Sequence, residues 1–499
     1  MISPNPLLER LTAGEAVGAF WLALGSVAVA EVMAESRPQA MIFDMQHGLW
    51  DRRTLFEAFA AIRGKTQPLV RVAENNAAAI GDALDQGAAG VIVPLIETAA
   101  EAKAAVASAK YPPEGRRSAG GVRPVVDFKA YGAAANKSLL VGVMIETALG
   151  LKNAAAIAAV PGVDLVFIGP GDLSLSLGEF PDPGPKHEAA LQAILAACRN
   201  ANTACGLFTF HASFAIDRMR QGFQLVLLGN DQDFLAGAAK STMTRFAGGG
   251  RKTALKGAVA LVSGTNRGIG PAIVKALLAA GAAKIYCGAR DPKTIAKLIA
   301  ISPKKLVPIS LDVTKAEQVK NAAKTCADVT VLVNNAGVNF NTPLIAIEGA
   351  ENARREMEVN YFGTLAMCQA FAPILKKAKG GTIVNMLSIL AHMNLPLMGS
   401  LCASKAALLS LTQALRAELA AQGTHVMAVL PGAVDTDMTA MLTIPKMQPA
   451  EVAEAIVHGL EYGLEEVYPG DMAMGVAAGL AIDPKAVEKE FAGFLPPGK

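Results

Sequence analysis

The chain of 499 residues is 52% hydrophobic and 18% charged, with a formal net charge of +3. That length exceeds what one core usually holds, so two domains are expected, while the near-neutral balance argues against a polyanion-binding stripe and against nucleic acid as a partner. The six cysteines, Cys198, Cys205, Cys287, Cys326, Cys368 and Cys402, form no close CxxC pair, which speaks against a structural zinc site or a disulfide framework and for a reducing cytoplasm.

Reading from the N-terminus, the apolar run from Ala16 to Ala30 is preceded by Glu9 and Glu15 and closed by Glu31. It lacks the basic flank of a leader and the length of a membrane span, and reads as a buried strand followed by a helix. Apolar segments of strand length recur at Val17–Leu24, Met41–Asp44, Pro68–Val72, Gly90–Pro94, Leu140–Glu146, Leu165–Gly169, Gly206–Phe210 and Leu225–Gly229. Between most of them lie Ala-rich stretches of helical composition, such as Ala99–Ala109 and Lys186–Arg199. Eight strand-helix units in about 250 residues predict an α/β fold of the (β/α)8 TIM-barrel type over residues 1–250.

The run Ala247-Gly248-Gly249-Gly250-Arg251-Lys252 interrupts this pattern. Its glycines hold no regular element and its charges favour solvent, which puts the domain boundary there. Over 251–499 a new alternation has strand candidates at Val259–Ser263, Lys284–Gly288, Leu306–Leu311, Val329–Val333, Thr382–Met386, Val426–Leu430 and Glu466–Tyr468, and predicts a Rossmann-type doubly wound parallel sheet. Gly, Pro or a charge breaks the apolar stretches within about ten residues, so no membrane span and no membrane partner are expected.

In a barrel the reactive groups sit where strands end. Strand two finishes in Asp44-Met45-Gln46-His47, strand three carries Arg71, strand five ends at Glu146, and strand six runs into Gly169-Pro170-Gly171-Asp172. Glu146 and Asp172 are candidate ligands of a hard divalent ion, magnesium or manganese, with water and substrate oxygens completing its shell. A 2-oxo acid chelating that ion would have its enolate stabilised by metal and Arg71 together, and His47, oriented by Asp44, would move the proton. Asp231 and His211, also near strand ends, are expected to be structural.

The segments FDMQHG, LVRVA, VPLIETAAEA, KYPPEGRRSAGG, VMIET and FIGPGDLSLSLG resemble those of the HpcH/HpaI class II aldolases, over nearly all of Met1 to Gly250. The resemblance implies reversible aldol cleavage of a 4-hydroxy-2-oxo acid, giving pyruvate or a related 2-oxo acid plus an aldehyde. It also implies a divalent metal (Mg, Mn or Co) on Glu146 and Asp172, substrate contacts at Arg71, Gly171 and Asp172, and a catalytic His47–Asp44 pair. One departure is Met144, where many relatives carry a polar residue.

The second domain opens with Val259–Ser263 running into Gly264-Thr265-Asn266-Arg267-Gly268-Ile269-Gly270 and then an Ala/Leu-rich helix. Glycines there let backbone approach a pyrophosphate at a helix N-terminus. Arg290 closes the second strand where many dinucleotide binders place an acid, and with Arg267 it would pair a 2′-phosphate, favouring NADP over NAD. SGTNRGIG, LDVT, NNAG, Asn360 in VNYFG, Ser388 and ASK at 403–405 resemble the short-chain dehydrogenase/reductases, from about Lys256 through PGAVDTDM at 431–438. That likeness implies cofactor contacts at Asp312, Asn335, Ala336, Gly337 and Lys405, and proton transfer through Asn360, Ser388, a tyrosine and Lys405.

The tyrosine position, four before Lys405, is Leu401. Leucine has no proton to give an alkoxide, so ordinary carbonyl reduction should be severely impaired, whether the change is native or introduced. Cys402 projects about 100° away on a helix, and Tyr361 and His392 are the remaining stand-ins. The leading expectation is a metal-dependent lyase fused to an NADP-binding domain, with 2-oxo acid and aldehyde as small-molecule partners. Its alternatives are an NADP-dependent oxidoreductase with an altered proton donor and a mainly structural barrel, or a non-catalytic cofactor-binding module. Both resemblances imply homo-oligomers.

Overall fold

The computed structural model describes residues 5–247, 251–345 and 349–495. The expected linker glycines Gly248–Gly250 and the expected domain limits at 1, 250 and 499 lie outside the described residues. The chain divides into two compact units, Met1–Thr242 and Met243–Lys499.

The first unit is a closed parallel barrel of β1 (Val17–Leu22), β2 (Ala40–Asp44), β3 (Gln67–Arg71), β4 (Gly90–Val93), β5 (Leu140–Ile145), β6 (Leu165–Ile168), β7 (Ala204–Leu207) and β8 (Leu225–Asn230), β8 pairing back onto β1. Side chains alternate between two apolar layers. Ala19, Trp21, Ile42, Leu69, Met144 and Phe167 fill the interior, while Phe43, Val70, Val91 and Val143 pack outward against the helices. The helix Pro6–Thr12, capped by Asn5, buries Leu7 and Leu11 with the interior residues; sequence patterning did not anticipate it.

Every barrel strand except β1 and β7 keeps within one residue of its expected limits, and one further helix was not expected. β1 stops at Leu22 rather than Leu24 because the N–H groups of Ala23 and Leu24 donate to the Asp231 carboxylate at 2.9 to 3.0 Å instead of to a strand. β7 begins at Ala204, where pairing with Leu165 starts, and its expected extension to Phe210 leaves the sheet as Phe208 turns its ring onto Trp21 at 5.3 Å. A helix, Pro170–Leu177, precedes the expected one, with Pro170 in its first turn and Gly178 left-handed at its end; the second helix spans Pro185–Ala201.

The second unit is a seven-stranded parallel sheet in the order β11-β10-β9-β12-β13-β14-β15. Its strands are β9 (Val259–Ser263), β10 (Lys284–Ala289), β11 (Leu306–Ser310), β12 (Val331–Asn334), β13 (Gly381–Met386), β14 (Thr424–Val429) and β15 (Glu466–Val467). Strand order reverses between β9 and β12, which opens a crevice at their C-terminal ends. Helices cover both faces over separate apolar clusters. A last helical pair, Gly470–Ile482 and Pro484–Ala492, packs on the segment after β13 through Ala473, Val487 and Phe491. Among the described residues no helix is long and apolar enough to cross a membrane.

Candidate active sites

The two-residue period of the strands aims the barrel's polar groups. Asp44 follows interior Ile42, Arg71 follows Leu69 and Glu146 follows Met144, so each side chain enters the C-terminal mouth of the barrel. Asp44 and Arg71 are direct partners in the β2–β3 register. The Arg71 guanidinium, 6% exposed, donates from Nε and Nη2 to the two Asp44 oxygens at 2.8 and 2.5 Å, and its Cζ lies 4.8 Å over the Trp21 ring. Trp21 Nε1–H also donates to Asp44, at 3.3 Å. Burial pushes the Asp44 carboxyl up, but Arg71 and the backbone N–H groups of His47 and Gln46 outweigh it and hold it below the usual carboxylate range.

The expected orientation of the His47 ring by Asp44 is not what the structure has. Asp44 Oδ1 accepts the backbone N–H of Gln46 at 2.9 Å and of His47 at 3.2 Å, while the imidazole itself is exposed. The reason is competition: both carboxylate oxygens face the Arg71 fork, so Asp44 shapes the loop that carries His47 rather than its ring.

Glu146 is 1% exposed. Its Oε1 accepts the Leu95 N–H at 2.8 Å, presented by a residue in the left-handed region at φ 55°, and its Oε2 is buried without a partner. Asp172, in the first turn of the helix Pro170–Leu177, faces it. Burial, and next the Asp172 carboxylate, raise Glu146 to about 7 against the opposing pull of the Leu95 N–H and Arg71. A Cβ at Gly169 would lie 2.5 Å from Glu146 Oε2, so any larger residue there would push the carboxylate out of its place. Two carboxylates facing each other with one buried oxygen left unpaired fit a hard cation that supplies the missing positive charge. Among the described residues no third His, Cys, Asp or Glu joins them, so water and substrate oxygens would fill the remaining positions. Gly171 is exposed in the same helical turn, with open space beside its Cα. Met144 is packed in the interior layer below Glu146.

Sequence reading missed Trp21 and Leu95. Trp21 was legible in principle, two residues beyond interior Ala19 at a strand end; Leu95 acts through its backbone, which leaves no side-chain signal. Asp231 is structural as expected, joining the ends of β8 and β1 through the N–H groups of Ala23 and Leu24. His211 sits at the N-terminus of the helix Ala212–Gln221 without a side-chain capping bond.

In the second unit a cavity of about 810 Å³ follows the crevice. Gly264 (φ 70°) and Gly268 (φ 65°) take backbone conformations that favour glycine, and a Cβ on Gly270 would collide with the Gly264 carbonyl oxygen. Asn266, Arg267, Gly268 and Ile269 line the cavity where the helix Ile269–Ala279 begins, and Gly270 is buried behind them. Asn335 supports the turn by donating to the carbonyls of Ser263 and Gly264, both at 3.0 Å. Ala336 and Gly337 continue the wall beyond it. Arg290 and Asp312 line the opposite side; burial raises Asp312, but hydrogen bonds from Thr314 and the nearby Arg290 charge bring it below the usual range. Arg267 pairs with Asp437 at 3.5 Å, both exposed.

Asn360 lies in a π-helical turn, Glu358–Gly363, where it donates to Val338 O at 3.0 Å and Ser404 Oγ at 2.9 Å. Lys405 Nζ, which lines the cavity, donates to Met386 O at 2.6 Å, and burial lowers it to about 8. Ser388 lines the cavity and accepts the Leu390 N–H at 3.2 Å. Leu401, 6% exposed, presents an apolar wall between Met398 and Leu442. None of the three stand-ins lines the cavity: Cys402 Sγ accepts the Leu395 N–H at 3.3 Å, the His392 ring lies beside Tyr468, and Tyr361 packs in the core under the sheet.

A closed β/α barrel with acidic strand ends, followed by a parallel sheet with a glycine-lined crevice, defines a chain of two enzyme-type units. Residues 18–238 match the family described as HpcH/HpaI aldolase/citrate lyase, and residues 258–446 match short chain dehydrogenase. The chain belongs to both families, one in each unit. The first unit is similar to 2-dehydro-3,6-dideoxy-6-sulfogluconate aldolase of Pseudomonas putida, 33% identical over 46% of this chain and 91% of the relative. It is also similar to 4-hydroxy-2-oxovalerate aldolase of Rhodococcus jostii (strain RHA1), 36% identical over 50% of this chain and 98% of the relative. Among solved structures, a short chain dehydrogenase from Burkholderia cenocepacia J2315 in complex with NADP is 46% identical over 49% of this chain and 99% of that chain, with a TM-score of 0.46.

Proposed function

We propose that the barrel is a carbon–carbon lyase acting on a 4-hydroxy-2-oxo acid, releasing pyruvate or a related 2-oxo acid plus an aldehyde, and catalysing the reverse condensation. The observation that carries this reading is the buried, partnerless Oε2 of Glu146 facing Asp172. A magnesium, manganese or cobalt ion held by Glu146 and Asp172 would supply Lewis-acid polarisation of the keto group. Arg71, fixed by Asp44 and Trp21, places a positive charge where the enolate develops and needs no reorganisation to do so. Gly171 offers the N–H of a first helical turn to the substrate carboxylate. His47, exposed at the same mouth, accepts the 4-hydroxyl proton as the C3–C4 bond breaks and returns it to C3 of the enolate.

The second unit binds NADP in preference to NAD, with Arg290 and Arg267 toward the 2′-phosphate, the Gly264–Gly270 turn at the pyrophosphate, Asp312, Asn335, Ala336 and Gly337 along the cofactor, and Lys405 and Asn360 at its ribose end. Cofactor binding without ordinary carbonyl reduction is favoured over an altered proton donor, because neither Tyr361 nor His392 reaches the cavity.

The test is pyruvate release from candidate 4-hydroxy-2-oxo acids, before and after chelation and with added divalent metal. Activity is expected only with metal, and Glu146→Gln is expected to lower it on the order of 10³-fold. Release that survives both the chelator and Glu146→Gln would overturn the proposal.

A further inference from the structure

Away from the glycine turn the cavity of the second unit changes character. Its far end is walled by Met441 and Leu442 of the loop after β14, by Met472, Val476 and Phe491 of the final helical pair, and by Phe494 just after it. Four of these six lie beyond residue 446, where the family match ends. Leu401 continues the same surface at the position where a hydroxyl would otherwise interrupt it. The acidic groups that touch this end, Asp471 and Glu490, are exposed at its rim. We propose that the second unit holds, beside its dinucleotide, an uncharged ligand with a hydrocarbon body, in the class of medium-chain aldehydes or fatty alkyl compounds.

This rests on the dinucleotide reading of the cavity, and it separates the ligand from the barrel's chemistry. A short hydroxyaldehyde or 2-oxo acid carries hydroxyl and carboxylate groups that these walls would strip of water without replacing its hydrogen bonds. An alkyl chain loses nothing by the same transfer. The second unit is therefore not built to take up what the barrel releases.

The full chain, saturated with NADPH, is titrated with the apolar fluorophore N-phenyl-1-naphthylamine, and the bound probe is then challenged with decanal, glyceraldehyde or pyruvate. Decanal is expected to displace the probe, and glyceraldehyde and pyruvate to leave it in place at the same concentration. Met441 and Phe494 are 55% and 51% exposed, so acidic substitution there spares the fold. The double variant M441D/F494D is expected to weaken probe and decanal binding at least about tenfold. No displacement by decanal, equal displacement by the polar compounds, or unchanged affinity in M441D/F494D overturns the inference. Absence of NADPH binding, read by nicotinamide fluorescence, would instead sink the dinucleotide reading; pyruvate release by the barrel is independent of both.

Discussion

At the scale of single residues, the decisive position in the second unit is Leu401. Its side chain lines the cavity, so a tyrosine there would reach the ligand without rebuilding the helix Gly399–Ala420. Leu401→Tyr is expected to raise NADPH oxidation with an aldehyde by about 10²- to 10⁴-fold, the usual contribution of a positioned acid. An unchanged rate would remove the missing hydroxyl as the explanation. Lys405 gives a pH dependence with a definite sign. Burial lowers its amine from the ordinary lysine range to about 8, so the ammonium, proposed here to donate to a ribose hydroxyl, is present below that pH and lost above it. NADPH affinity should therefore fall as pH rises past about 8, and Lys405→Met should flatten the profile; isothermal titration at pH 7 and 9 reads both. Asp44, Arg71 and Glu146 were legible in the sequence because each follows an interior apolar residue by two, while His47 and Asp172 showed only as polar groups just past strand ends. The partner of each was not legible. Asp44 reads as a neighbour of His47 along the chain, yet the β2–β3 register sets it opposite Arg71, and register is a property of two strands that neither reveals alone.

At the scale of elements, closure of the barrel depends on how β8 meets β1. Asp231, 1% exposed, accepts the N–H groups of Ala23 and Leu24 where β1 leaves the sheet. Asp231→Ala leaves those donors unpaired and should cost about 3 kcal/mol. Both tryptophans, Trp21 and Trp50, lie in the barrel, so urea unfolding followed by tryptophan fluorescence reads that cost directly; a midpoint unchanged from the parent would refute it. Strand cores such as Val259–Ser263 and helices such as Ala99–Ala109 were visible as apolar runs between glycine, proline and charge. Ends were less visible, since they are set by long-range bonds like those of Asp231. The helix Pro6–Thr12 was missed because it is short and its two buried leucines, Leu7 and Leu11, make too brief a pattern to register.

At the scale of the whole molecule, two units each with its own buried clusters predict unfolding in more than one step. A cation should raise the transition seen by tryptophan fluorescence, and NADPH one seen by far-ultraviolet circular dichroism alone. At a ligand concentration near 100 times its dissociation constant each shift corresponds to about 2.7 kcal/mol. A single transition moved equally by either ligand would count against separate sites.

The left-handed backbone at Leu95 inverts the ordinary rule for conservative replacement. Exchanging this half-exposed leucine for valine or isoleucine keeps its oiliness but forks the chain at Cβ, which that geometry tolerates least. Asparagine or glycine, chemically remote from leucine, would sit there with ease. Natural variation at this site should thus follow dihedral preference rather than hydropathy, since what the barrel mouth uses from Leu95 is an amide proton aimed at Glu146.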